Sequence, residues 1–126
     1  MDTLKVWHEV METHDFEKLA SILHSDVVFI SPVVHTPQNG ASITIKYLTA
    51  AAHIFGTDKF KYVRETKDSS GAILEFETEV DDKHINGVDM IKWDDQGLIT
   101  EFKVMVRPLQ AVNTIHAAMG KMLSQL

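Results

Sequence analysis

Asp89 lies between Val88 and Met90 in the stretch "INGVDMIKWDDQGLI", on the same alternation face as Ile85, Ile91 and Trp93. A carboxyl group in that company is either kept neutral, given a donor, or used. Burial disfavours the ion and raises the pKa, and a neutral acid in a dry pocket can donate a hydrogen bond to a carbonyl or enolate. The competing reading is a structural acid satisfied by the Trp7 N–H or by a histidine. His35, in the loop "VVHTPQ", is a candidate acid/base at a pocket mouth or simply an exposed loop histidine. His14 ends an apolar helical face, where a cation is favoured by the helix dipole, and contact with Asp89 is its sharper reading. Arg107 meets either an anionic substrate group or the acid row Glu75, Glu77 and Glu79. Phe29, Tyr47 and Phe55 are candidate lining residues, each explained equally well by core packing.

Other chemistries find little support. With no cysteine among the 126 residues, thiolate chemistry and disulfides are excluded. The seven histidines show no metal-ligand spacing, and "HEVMETH" lacks the i, i+4 pair of a zinc helix, so neither a metal nor a cofactor is expected. Eighteen acids against twelve bases leave a net charge of −6, which argues against nucleic acid and anionic membranes as partners. No apolar run is long enough to span a bilayer, and the acidic start lacks the apolar core of a signal peptide. The expectation is one cytoplasmic domain over residues 1–126 whose partners are a small hydrophobic molecule and a second copy of the chain.

The elements that must position these residues are legible as periodicities. Leu4, Trp7, Met11 and His14 share one helical face. Asp15 suits the N-cap of a second short helix with Phe16, Leu19, Ala20 and Leu23 inward. "DVVFISP" is a β-branched strand stopped by Pro32, and "PVVHTPQNG" is a loop. "ASITIKYLTAAAHIF" is a third helix with Ile43, Tyr47, Ala50, Ala51 and Ile54 inward and Gly56 as its cap. From Phe60 to Arg107 the pattern alternates, as in "AILEFETEV", and predicts an antiparallel meander over roughly 59–67, 71–81, 84–94 and 98–107. After Arg107-Pro108 an amphipathic helix carries Leu109, Val112, His116, Met119, Leu123 and Leu126 at near-heptad spacing. The class is therefore α+β. "GVDMI" is apolar on both faces, which predicts cover by helices on one side and by a partner subunit or the last helix on the other.

This element order, with "W…HDFEKLASILHSDVVFISP", "NGASITIKYL" and "GVDMIKWDDQGLITEFKVMVRP", resembles the nuclear transport factor 2-like superfamily. That grouping includes ketosteroid isomerases, SnoaL-like polyketide cyclases and limonene-epoxide hydrolases. The resemblance implies a cone-shaped curved antiparallel sheet wrapped by N-terminal helices around one apolar pocket, with the C-terminal helix added. It also implies roles by position. The isomerase general base would stand at Ser31, before Pro32, and is missing; the oxyanion tyrosine of the first helix is matched by Trp7; the second oxyanion donor is matched by Asp89. For the epoxide hydrolases, Gly87 stands where an arginine is needed, and "EFKVMVR" has no aspartate. What remains is isomerase, cyclase or lyase chemistry centred on Asp89 as general acid or oxyanion donor, with Trp7, His14, Phe29, Ser31, Tyr47, Phe55 and Arg107 around the substrate and His35 or His14 as proton partner. The alternative is a non-catalytic ligand-binding or dimerisation module in which Asp89 is structural.

Overall fold

The computed structural model describes residues 2–125. Its elements run α1 (Thr3–Thr13), α2 (Phe16–Ala20), β1 (Leu23–Ile30), β2 (Gln38–Asn39), α3 (Ala41–Phe55), β3 (Lys61–Asp68), β4 (Gly71–Val80), β5 (Lys83–Trp93), β6 (Ile99–Arg107) and α4 (Leu109–Leu123). One six-stranded sheet has the order β2-β1-β6-β5-β4-β3. The meander β3 to β6 is antiparallel as expected, while β1 joins it parallel to β6. Register shifts in β1, β3 and near Trp93 bend the strands, and the curved sheet stays open.

Local chemistry sets the boundaries. Asp2 and Asp15 cap α1 and α2 by accepting from the Lys5 and Lys18 N–H groups. The β3–β4 turn is tied by Asp68, which accepts from both Ser70 N–H and Ser70 Oγ. Asp94 accepts from Gln96 and Leu98 N–H in the β5–β6 turn. Gly56 caps α3 with its N–H on the Ala52 carbonyl. A side chain is excluded there because a Cβ would lie 2.4 Å from that carbonyl oxygen and 2.8 Å from His14 Nε2.

Leu19, Val27, Leu74, Phe76, Ile85 and Phe102 are among the buried side chains of one core between the sheet and the helices. Three sequence-based faces need correction. Leu23 lies on β1, paired with Ile99, and Ala20 is exposed, because α2 ends a turn earlier than its apolar spacing suggests. The buried stripe of α3 is Thr44, Leu48, Ala52 and Phe55, with Ala50 beside it, whereas Ile43, Tyr47, Ala51 and Ile54 are half-buried. In α4 the buried stripe is Ala111, Ile115 and Met119, while His116 is exposed and Leu109 is 74% exposed. Both helices bury a stripe that is offset from the one marked by their largest residues, because α3 and α4 also pack against each other. Leu126 lies outside the described residues.

Because α4 joins α3 and its buried residues enter the common core, it leaves the outer face of the sheet uncovered. Val63, Ile73 and Met105 are exposed there, and Val88 and Met90 are half-buried. No described helix is long and apolar enough to cross a membrane.

Candidate functional site

Alternation along β5 sends Ile85, Gly87, Asp89 and Ile91 to the helix-covered face. Asp89 sits between Leu74 on β4 and Val104 on β6 and is only 7% exposed. Its partner is Tyr62, two strands away on β3, whose hydroxyl donates to Asp89 Oδ2 at 2.6 Å. Trp7, from α1, donates its indole N–H to the Tyr62 oxygen at 3.0 Å. The chain Trp7→Tyr62→Asp89 therefore passes each donor to the next group and ends on the carboxylate. Gly87 makes room in this layer: Phe76 lies across it so closely that a Cβ would be 2.5 Å from Phe76 Cζ.

Burial pushes the Asp89 carboxyl up to about 7, against a partial opposing effect of the Tyr62 hydrogen bond. Burial, and then the adjacent Asp89 charge, raise the Tyr62 hydroxyl well above its usual range. Tyr62 thus stays protonated at neutral pH, and Asp89 is the group poised to exchange a proton there.

The cavity beside Asp89 is walled by Trp7, Met11, Leu48, Phe55, Phe60 and Phe102, among others, all apolar apart from the indole N–H already given to Tyr62. Its volume is about 30 Å³, room for water but not for an organic ligand with the side chains as they stand. Met11 and Phe60 also line a larger outer groove of about 440 Å³ that holds His8, His14 and Tyr62. The two spaces share that Met11–Phe60 wall.

Of the residues singled out from the sequence, the structure brings Asp89, Trp7 and Phe55 together on the cavity. His14, the left-handed residue ending α1, lies in the outer groove. His35 is exposed on the β1–β2 loop and does not line the Asp89 cavity. Ser31, at the end of β1, accepts from the Val33 N–H. Phe29 packs against Tyr47 and Phe102 without reaching the cavity lining. Arg107 reaches Asn86 Oδ1 at 3.4 Å, and Asn86 in turn donates to Glu75. Sequence reasoning missed Tyr62; the available signal was a polar-tipped aromatic two residues after Phe60 in an alternating segment. No group of three or more potential metal ligands occurs among the described residues.

The SnoaL-like domain family matches residues 4–102. The chain belongs to that family. Solved structures extend the likeness over most of this SnoaL-like protein's length. A steroid delta-isomerase from Pseudomonas aeruginosa is 36% identical, covers 98% of this chain and 90% of its own, and superposes with a TM-score of 0.91. An uncharacterized cystatin-like-fold protein from Silicibacter pomeroyi is 28% identical over 95% of this chain and 84% of its own, with a TM-score of 0.88. An NTF2-like protein of unknown function from Cytophaga hutchinsonii, 17% identical over 87% of this chain and 91% of its own, shares the fold with a TM-score of 0.62. No curated relative matches the chain. The SnoaL-like protein is thus a member of the nuclear transport factor 2-like superfamily, whose fold the sequence resemblance implied.

Proposed function

We propose that this protein, as one domain acting in the cytoplasm, binds a small hydrophobic carbonyl compound against Asp89 and moves a proton on it, in isomerase, cyclase or lyase chemistry. The observation that supports this most is the single carboxyl group in an apolar cavity, pushed up to about 7 and oriented by Tyr62. An acid/base works best when its pKa lies near the working pH. Ionised Asp89 can take a proton from a carbon next to a carbonyl and then return it as a neutral acid. The isomerase neighbour acts on a steroid, as its name states. A smaller substrate suits this chain, since the cavity here is about 30 Å³ and shares Met11 and Phe60 with the larger outer groove, so moving those two side chains would join the two spaces. Methionine, unbranched and flexible, suits such a movable wall.

Ser31 favours a second reading, a non-catalytic binding module, because it stands where resembling isomerases carry their base. Hydrogen exchange separates the two. Cyclohexanone in D₂O, followed by proton NMR, reports removal of its α-protons. The catalytic reading expects exchange that falls by roughly 10²–10⁴-fold in Asp89→Asn. Binding of the ketone with no exchange above buffer supports the binding module instead.

The uncovered outer face supports a homodimer formed through the sheet, with Ile73, Val88, Met90 and Met105 at its centre. Light scattering at micromolar concentration reports a dimer in that case, and Met105→Lys a monomer.

A further inference from the structure

The outer groove holds a second pair of groups that the Asp89 reading leaves unused. His8 Nε2 lies 2.7 Å from Glu65 Oε1, joining α1 to β3. An ionised carboxylate can only accept, so Nε2 carries a proton toward Glu65, and Nδ1 is the ring nitrogen left to exchange a proton with a ligand. The His8 ring stands edge-on to the Tyr62 ring, with centroids 5.4 Å apart, while the hydroxyl of that same tyrosine touches Asp89. Tyr62 thus has Asp89 at its tip and the His8–Glu65 pair beside its ring. The groove carrying His8 has about 440 Å³, within the range that holds small ligands, and adjoins the Asp89 cavity through Met11 and Phe60. Glu12, His14, Asp58 and Lys61 are its remaining charged or titratable lining groups. A paired surface histidine is ordinarily a minor stabilising contact. This one flanks the only hydrogen-bond donor that Asp89 has among the described residues, in a space large enough for a ligand.

We infer that His8, held by Glu65, is the second proton-transfer group of the site, and that the groove seats the oxygen-bearing end of a small ketone or enol. The inference rests on the reading of Asp89 as the group that takes the carbon-bound proton. Asp89 carboxylate breaks the C–H bond, and its electron pair becomes the new C=C bond. The carbonyl π pair moves to oxygen, which receives the Nδ1 proton of the His8 imidazolium, giving the enol and a neutral His8 that keeps its Nε2 proton on Glu65. On return, protonated Asp89 delivers its proton to carbon while His8 takes back the hydroxyl proton. Both residues end as they began, and no co-reactant is needed. Glu65 is a positioning residue that acts through the His8 ring.

The test uses the intact chain and cyclohexanone in D₂O. His8→Ala lowers α-proton exchange roughly 10²–10⁴-fold, and added imidazole restores part of it, an effect that a structural role does not produce. Glu65→Gln lowers exchange less and alters its pH profile. Exchange that is lost in Asp89→Asn but unchanged in His8→Ala overturns the His8 assignment and leaves the Asp89 reading standing. Loss in His8→Ala with no imidazole rescue also overturns it, assigning His8 to structure. No exchange by the wild-type chain overturns both readings together.

Discussion

Leu74 and Asp89 face each other across β4 and β5 on the inner side of the sheet; one residue along, Glu75 and Val88 face each other on the outer side. Two carboxylates on neighbouring strands thus have opposite surroundings. Glu75 lies 3.2 Å from Arg64 and accepts from Asn86, and farther along the row Glu79 pairs with Lys59. Among the described residues Asp89 has no cation beside it, only Tyr62 and a largely apolar wall. The outer acids do what partly solvated charges usually do, contributing little each. The inner acid carries the cost of desolvation, and that cost moves its pKa to where proton transfer is useful. Residue type does not separate the two; the pleat does.

Each side of this contrast can be broken separately. Phe76→Ala empties the inner layer beneath Tyr62 and is expected to cost about 3–5 kcal/mol in urea unfolding. Asp89→Asn removes the buried charge and so changes how stability depends on pH. The folded carboxyl titrates at about 7 and its ordinary value is 3.8, so between these values the folded state holds a proton that the unfolded state has lost. The contribution of Asp89 is therefore undiminished below about pH 4, falls as pH rises through about 7, and is constant above that. The stability of Asp89→Asn relative to wild type should rise by about 3 kcal/mol from pH 5 to pH 8, and parallel curves would mean that Asp89 is not desolvated. Tyr62→Phe removes the hydrogen bond that favours the carboxylate. It should cost about 1–2 kcal/mol and move the midpoint of ketone exchange to higher pH. Glu75→Gln, on the outer face, should change stability by less than about 0.5 kcal/mol, with any effect fading in added salt.

The contrast also shows what was readable in the chain. Asp89 was found because "GVDMI" alternates cleanly and an acid among Ile85 and Ile91 stands out. The Glu75–Glu79 row was legible for the same reason, and so were the four meander strands. Tyr62 was hidden because β3 is an edge strand: "KYVRETKD" is mostly exposed, and a register shift between Tyr62 and Arg64 breaks its alternation. Its contact with Asp89 spans two strands, which local periodicity does not encode. The His8–Glu65 pair joins residues 57 positions apart and exists only once α1 lies over β3. His35 was singled out because loops often carry function, but the loop from Ser31 points its histidine to solvent. The offsets in α3 and α4 arise where one helix packs on another and small residues such as Ala52 and Ala111 are the ones buried.

The proposed chemistry turns on the ionisation of one side chain. Carboxyl carbon-13 NMR of aspartate-labelled protein, with Asp89→Asn to assign the resonance, follows it directly from pH 3 to pH 9. A midpoint near 7 for Asp89 is the predicted result. A midpoint in the ordinary aspartate range near 4 would overturn the Asp89 reading, because a carboxyl group that ionises so readily is not desolvated and its carboxylate is too weak a base to be matched to proton transfer near neutral pH.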